Sequence, residues 1–150
     1  MERIYIVTGG AGHLGSTIVK KLSALGARVR ALLLPGESAA PLEGCPDVEI
    51  VRGDVCDAAS LEPLFAHGPR ETLAVIHTAA LISIETKVSP RLRAVNVGGV
   101  ENIIDACLAH PPARLVHVSS VHALPEQPGR GVIRETDQFH AAWVKGAYAK

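Results

Sequence analysis

Thr8-Gly9-Gly10-Ala11-Gly12-His13-Leu14-Gly15 spaces glycines three residues apart, between an apolar β-branched run, Ile4 to Thr8, and a segment of helical periodicity, Leu14 to Leu25. No other feature constrains the chain as tightly. A sharp turn from strand into helix needs Gly9, close approach of a pyrophosphate needs Gly12, and close packing of helix on strand needs Gly15. The unpaired N–H groups at such a helix start, aided by the helix dipole, suit a phosphate. A glycine pattern alone is weak, but here a strand precedes it and an amphipathic helix follows, which is the context the motif requires. Gly9, Gly12, His13, Leu14 and Gly15 are therefore the candidate nucleotide-binding residues of the turn. His13 can also be read as a solvated residue of the helix start.

The rest of the chain repeats this alternation. Apolar runs at Ile4 to Thr8, Val29 to Leu34, Val48 to Val51, Leu73 to His77 and Leu115 to Val118 read as buried strands. Between them, Leu14 to Leu25, Ala58 to Phe65 after an Asp57 cap, and Pro90 to Ala109 after Ser89 read as helices. Strand and helix in turn imply a parallel, doubly wound α/β sheet with crossover helices on both faces. Pro35 to Pro46 and Leu124 to Phe139 interrupt the pattern and read as surface loops. Such loops leave the carboxyl ends of parallel strands, where these sheets bind ligands.

Composition narrows the partners. The 150 residues are 47% hydrophobic, enough for one ordinary globular core, and 15 basic residues balance 15 acidic ones. With no basic patch, nucleic acid is not an expected partner. No apolar stretch reaches the roughly 20 residues of a membrane helix, and no secretory segment opens the chain, so a cytoplasmic protein without a membrane partner is the default. Cys45, Cys56 and Cys107 are odd in number and widely spaced, which predicts reduced thiols. The seven histidines lack ligand spacing, and no metal site is expected.

Several motifs, in order, resemble those of the short-chain dehydrogenase/reductase superfamily, and best its extended or atypical branch. Beside the glycine turn stand Gly53-Asp54-Val55 after the third strand and His77-Thr78-Ala79-Ala80 after the fourth. Asn96-Val97-Gly98-Gly99 lies in the following helix, Val118-Ser119-Ser120 at the end of the fifth strand, and Tyr148 where a YxxxK motif begins. The branch includes sugar-nucleotide epimerases and dehydratases, 3β-hydroxysteroid dehydrogenases and dihydroflavonol reductases. The resemblance implies a Rossmann-type sheet, truncated after about five strands, with residues 1–150 forming an incomplete NAD(P)-binding domain. The C-terminal substrate-binding part would then lie outside this sequence.

By the same resemblance, Asp54 contacts the adenine ring, and Val55, Thr78, Ala79, Ala80, Asn96 and Ser119 line the cofactor. Tyr148 is implied as general acid/base and Ser120 as the hydroxyl that orients the substrate oxygen. Ser120 is preferred to Ser119 because neighbours on a strand face opposite ways, so only one takes the role. An unperturbed tyrosine ionises near about 10, so it needs a nearby cation to act at neutral pH. The expected lysine falls four residues after Tyr148. Lys150 does not replace it, because on a helix an offset of two turns the side chain about 200° away. His77 is assigned no proton transfer.

The implied function is an NAD(P)-dependent oxidoreductase, epimerase or dehydratase that acts, in its full-length form, on a small secondary alcohol or ketone. The 150 residues alone are expected to be inactive, and a homo-oligomer is compatible with the full-length form. The cofactor is NAD or NADP, with the leaning to NAD. Leu32-Leu33-Leu34 occupies the end of the second strand, where an acid would read the ribose; Glu37 falls late and Arg30 lies within the strand. The alternative is a dinucleotide-binding regulator without turnover. A five-strand sheet would also leave an apolar edge and uncovered helix faces.

Overall fold

The structure, a computed structural model, describes residues 2–111, 114–125, 135 and 139–149. Its framework is a sheet of five parallel strands, β1 (Glu2–Thr8), β2 (Arg28–Leu33), β3 (Val48–Arg52), β4 (Glu71–His77) and β5 (Arg114–His117), in the order β3-β2-β1-β4-β5. The strand order reverses between β1 and β4. Ligands of open α/β sheets bind in the crevice beyond the carboxyl ends at that switch point.

Alternation within the strands builds two cores. Ile4 and Ile6 of β1, Leu73 and Val75 of β4, and Leu32 pack against Leu61, Leu64, Phe65 and Ile103. From the other face, Val7, Val29, Ala31 and Leu33 pack against Val19 and Leu42. Val19 belongs to α1 (His13–Ala24), which begins at the glycine turn. Burial on both faces accounts for the apolar runs 4–7 of β1, 31–33 of β2 and 73–76 of β4.

The expectation of buried strands fails at the two edges. Leu115 and Val116 of β5 are 37% and 46% exposed, and Ile50 of β3 is 39% exposed. Each of these strands pairs on one side only. Beside β5, a cavity of about 290 Å³ opens on the face that carries Tyr5, Ile76 and Val116.

Two helical expectations are also refined. The span Ala58 to Phe65 is a 3₁₀ turn, Ala58–Leu61, running into one α turn, α2 (Glu62–Phe65), and the Asp57 carboxylate accepts the Ala59 N–H at 3.1 Å. Pro63, without an N–H, suits that first turn. The span Pro90 to Ala109 is not one helix. It comprises α3 (Pro90–Arg93), a π turn (Ala94–Gly98) and α4 (Gly99–Ala109), with Ser89 accepting the Leu92 N–H at its start. Single-turn π insertions recur at functional sites. The Pro35 to Pro46 loop is not wholly a surface segment either. Its 3₁₀ turn, Ala40–Leu42, buries Leu42 beneath α1. Most of the later predicted loop, residues 126–134 and 136–138, lies outside the described residues, as does Lys150.

Among the described residues no helix is long and apolar enough to cross a membrane, and no cluster of His, Cys, Asp or Glu is placed to hold a metal ion. All three cysteines are free.

Candidate functional site

Gly9 takes φ +65°, the left-handed conformation that favours glycine, and turns the chain out of β1. A Cβ there would also press on the Ala79 Cα at 3.1 Å. Gly15 has no room for a side chain, because its Cβ would run into the Gly9 carbonyl, with the Gly9 carbonyl carbon at 2.8 Å. The helix thus packs on the turn itself more than on the strand. At Gly12 a Cβ would meet only the Gly9 oxygen, at 3.2 Å, so this position presents bare backbone to the space in front. Gly12 is the N-cap of α1, with no side-chain cap and no acidic residue in the first turn. An uncapped, acid-free helix start leaves its first N–H groups to an anion. His13 and Leu14 stand exposed beside it, and the His13 carbonyl accepts the Thr17 hydroxyl at 2.9 Å.

In front of the turn lies a cavity of about 240 Å³, bordered by Gly9, Gly12, Asp54, Val55 and Thr78 to Leu81. Asp54 Oδ1 accepts the Cys56 N–H at 2.9 Å, which fixes the turn after β3. Val55 is buried in the cavity floor, and its carbonyl accepts from Asn102 Nδ2 of α4 at 2.8 Å. Burial, then the Asp54 carboxylate, push the Cys56 thiol up, which disfavours the thiolate.

Two charged residues of this cavity were not among the candidates read from the sequence. Pro35-Gly36 forms a turn, with Gly36 at φ +80° and the Glu37 N–H donating to the Leu34 carbonyl at 3.0 Å. The turn folds Glu37 back to the end of β2, where its carboxylate accepts the Leu34 N–H at 2.8 Å and borders the cavity. Glu37 is late in sequence but not in space. The Pro-Gly pair was the available signal. Arg91 of α3 lines the same cavity, and no motif marked it. Arg30 is held inside the fold by Glu49 at 2.7 Å and by the carbonyls of Leu64 and Ala66, away from any ligand role.

A second cavity, about 120 Å³, gathers Ala79, Ala80, Asn96, Ser119, Ser120 and Tyr148. Ala79 and Ala80 border both cavities, so the two are adjacent along the β4 turn. Asn96 lies in the π turn with both ends of its amide engaged: Oδ1 accepts the Leu81 N–H at 2.8 Å and Nδ2 donates to the Leu81 carbonyl at 2.9 Å. It holds the loop after β4 while lining the cavity. Ser120 Oγ accepts the His122 N–H at 3.3 Å, capping a short 3₁₀ turn, and among the described residues its hydroxyl proton has no acceptor. Ser119 also borders a third cavity, about 480 Å³, with Val88, Leu92, Val97, Phe139 and Tyr148.

Tyr148 is half-buried, with its ring edge-on to His122 at 6.3 Å. It sits in a turn after a bend at Gly146, anchored by the Ala147 N–H on the Glu85 carbonyl at 3.1 Å. Lys150 lies outside the described residues, so its place relative to Tyr148 is not part of this geometry.

The fold agrees with three comparisons. A family model described as "NAD dependent epimerase/dehydratase family" matches residues 5–144. The 3 beta-hydroxysteroid dehydrogenase type 7 of Rattus norvegicus is 35% identical over 127 residues, which cover 81% of this chain and 36% of that protein. The cinnamoyl-CoA reductase 1 of Oryza sativa subsp. japonica is 34% identical over 146 residues, covering 90% of this chain and 40% of that one. Among solved structures, the UDP-glucose 4-epimerase of Thermus thermophilus in complex with NAD superposes with a TM-score of 0.73 at 26% identity, covering 97% of this chain and 46% of that one. The chain thus spans roughly a third to two fifths of the curated relatives it matches.

Proposed function

The chain belongs to the NAD-dependent epimerase/dehydratase family, and from that membership we propose that it is the dinucleotide-binding portion of an extended short-chain oxidoreductase, epimerase or dehydratase. In its full-length form it acts on a secondary alcohol or ketone. One observation carries this reading: the cavity at the uncapped start of α1 adjoins, through Ala79 and Ala80, the cavity that holds Ser120 and Tyr148. A dinucleotide with its pyrophosphate over Gly12 and its adenosine toward Asp54 would direct its nicotinamide to the serine and tyrosine.

The residues fit such a cofactor. Bare backbone at Gly12 and an acid-free helix start accept a pyrophosphate, and Glu37 offers a carboxylate where a ribose hydroxyl would donate. A carboxylate there repels a 2′-phosphate, which supports NAD over NADP. When bound, the nicotinamide supplies or accepts the hydride. Ser120 donates its hydroxyl proton to the substrate oxygen and orients it, and the Tyr148 phenol exchanges a proton with that oxygen. Val88, Leu92, Val97 and Phe139 form an apolar wall beside this pair. A binding regulator would not need a hydroxyl and a phenol in one cavity, which favours the enzyme.

Calorimetry with NADH tests the reading. Binding is expected for the protein and a loss of more than about tenfold for Gly12→Asp, because the new carboxylate would face the pyrophosphate. Equal binding by both, or none by the folded protein, contradicts it.

A further inference from the structure

His77 ends β4, is 1% exposed, and carries no assigned role, yet it bonds to the residue that precedes the glycine turn. Thr8 Oγ1 lies 2.8 Å from His77 Nδ1. The same oxygen accepts the N–H groups of Thr78 and Ala79, each at 3.1 Å. A hydroxyl has two lone pairs and one proton. With both lone pairs taken by amides, the Thr8 proton must go to His77 Nδ1, so Nδ1 is bare. The neutral ring then carries its proton on Nε2, a buried atom without a hydrogen-bond partner among the described residues.

That arrangement has a cost and a purpose. An unpartnered buried donor is unfavourable, and each one calls for an explanation. Here the ring serves as the acceptor that orients the Thr8 hydroxyl toward the two amides. A second bond, from Thr78 Oγ1 to the Thr8 carbonyl at 2.6 Å, closes the same link from the other side. Together they join the end of β1 to the end of β4, where Ala79 packs closely against Gly9 and borders both cavities. The His117 ring, stacked at 5.4 Å and 20°, covers His77 from β5.

We propose that His77 is a positioning residue of the cofactor site: through the Thr8 hydroxyl it fixes the Thr78-Ala79 backbone against the glycine turn. It touches neither cofactor nor substrate. The inference rests on the dinucleotide reading above and adds to it the group that sets the width of the site at the switch point. Its chemistry also names a substitute. Asparagine Oδ1 occupies nearly the place of Nδ1 and accepts the same bond, whereas phenylalanine fills the volume and accepts nothing.

Two measurements decide the matter. Nitrogen NMR of the protein should show His77 as the Nε2–H tautomer, a signature that a merely space-filling ring would not be required to show; an Nδ1–H tautomer overturns the proposal whatever the variants do. NADH affinity should fall about tenfold in His77→Phe and stay within about threefold of the parent in His77→Asn. Equal affinity in the phenylalanine variant, or equal losses in both, overturns it too. If the unaltered protein binds no NADH, the dinucleotide reading fails with it, and that result is distinct from a protein that binds regardless of residue 77.

Discussion

A histidine buried without a charged partner titrates against folding. Burial, then the neighbouring His117, lower the pKa of His77 from 6.5 to about 4. Between those values the unfolded chain takes up the proton and the folded one does not, so stability falls as pH drops from about 6.5 toward about 4 and is fully present above that window. Urea midpoints at pH 7 and pH 5 should therefore lie further apart for the parent than for His77→Asn, which has no imidazole to protonate. Equal spacing in the two proteins contradicts this. Protonation would also place a proton on Nδ1, against a hydroxyl whose lone pairs are already taken. Acid instability and loss of the Thr8 bond are thus one event. Glu71, lowered by the Gly68 N–H and by Arg28, adds to acid instability only below the ordinary carboxylate range, outside the window that the pH 7 and pH 5 comparison reads.

At the scale of elements, the loop after β2 shows how a short turn relocates a charged side chain. The Pro35-Gly36 turn returns Glu37 to the end of the strand, beside the Leu34 N–H. If that carboxylate reads the ribose, NADH should bind more than about tenfold tighter than NADPH, a gap of about 1.4 kcal/mol, and Glu37→Gln should narrow the ratio to within about threefold. Titration of both nucleotides with both proteins checks this, and an unchanged ratio removes Glu37 from the site. The alternation of elements was legible in the sequence because apolar periodicity and caps are local, as Ser89 and Asp57 show. The return of Glu37 was not, since it depends on the path of the chain after Gly36. Nor was the π turn at Asn96: the bonds that hold it run to Leu81, 15 residues away. Edge exposure of β3 and β5 depends on strand order, which local pattern does not carry.

Across the whole molecule, the glycine turn, the β3 turn, the β4 turn and the Ser120–Tyr148 cavity lie along the carboxyl end of one sheet. Sequence motifs named most of these residues but not their division of labour. Thr78 and Asn96 were expected at the cofactor; they line the two cavities, and their bonds to Thr8 and Leu81 also hold the walls. Tyr148 was expected on a helix and stands in a turn. The central claim is that a dinucleotide spans both cavities, from Gly12 to Ser120. Amide NMR of the protein during addition of NADH tests it most directly. The account predicts that Gly12, Asp54, Ala79 and Ser120 shift together and saturate with one affinity; shifts confined to residues away from these turns, or none at saturating NADH, contradict it.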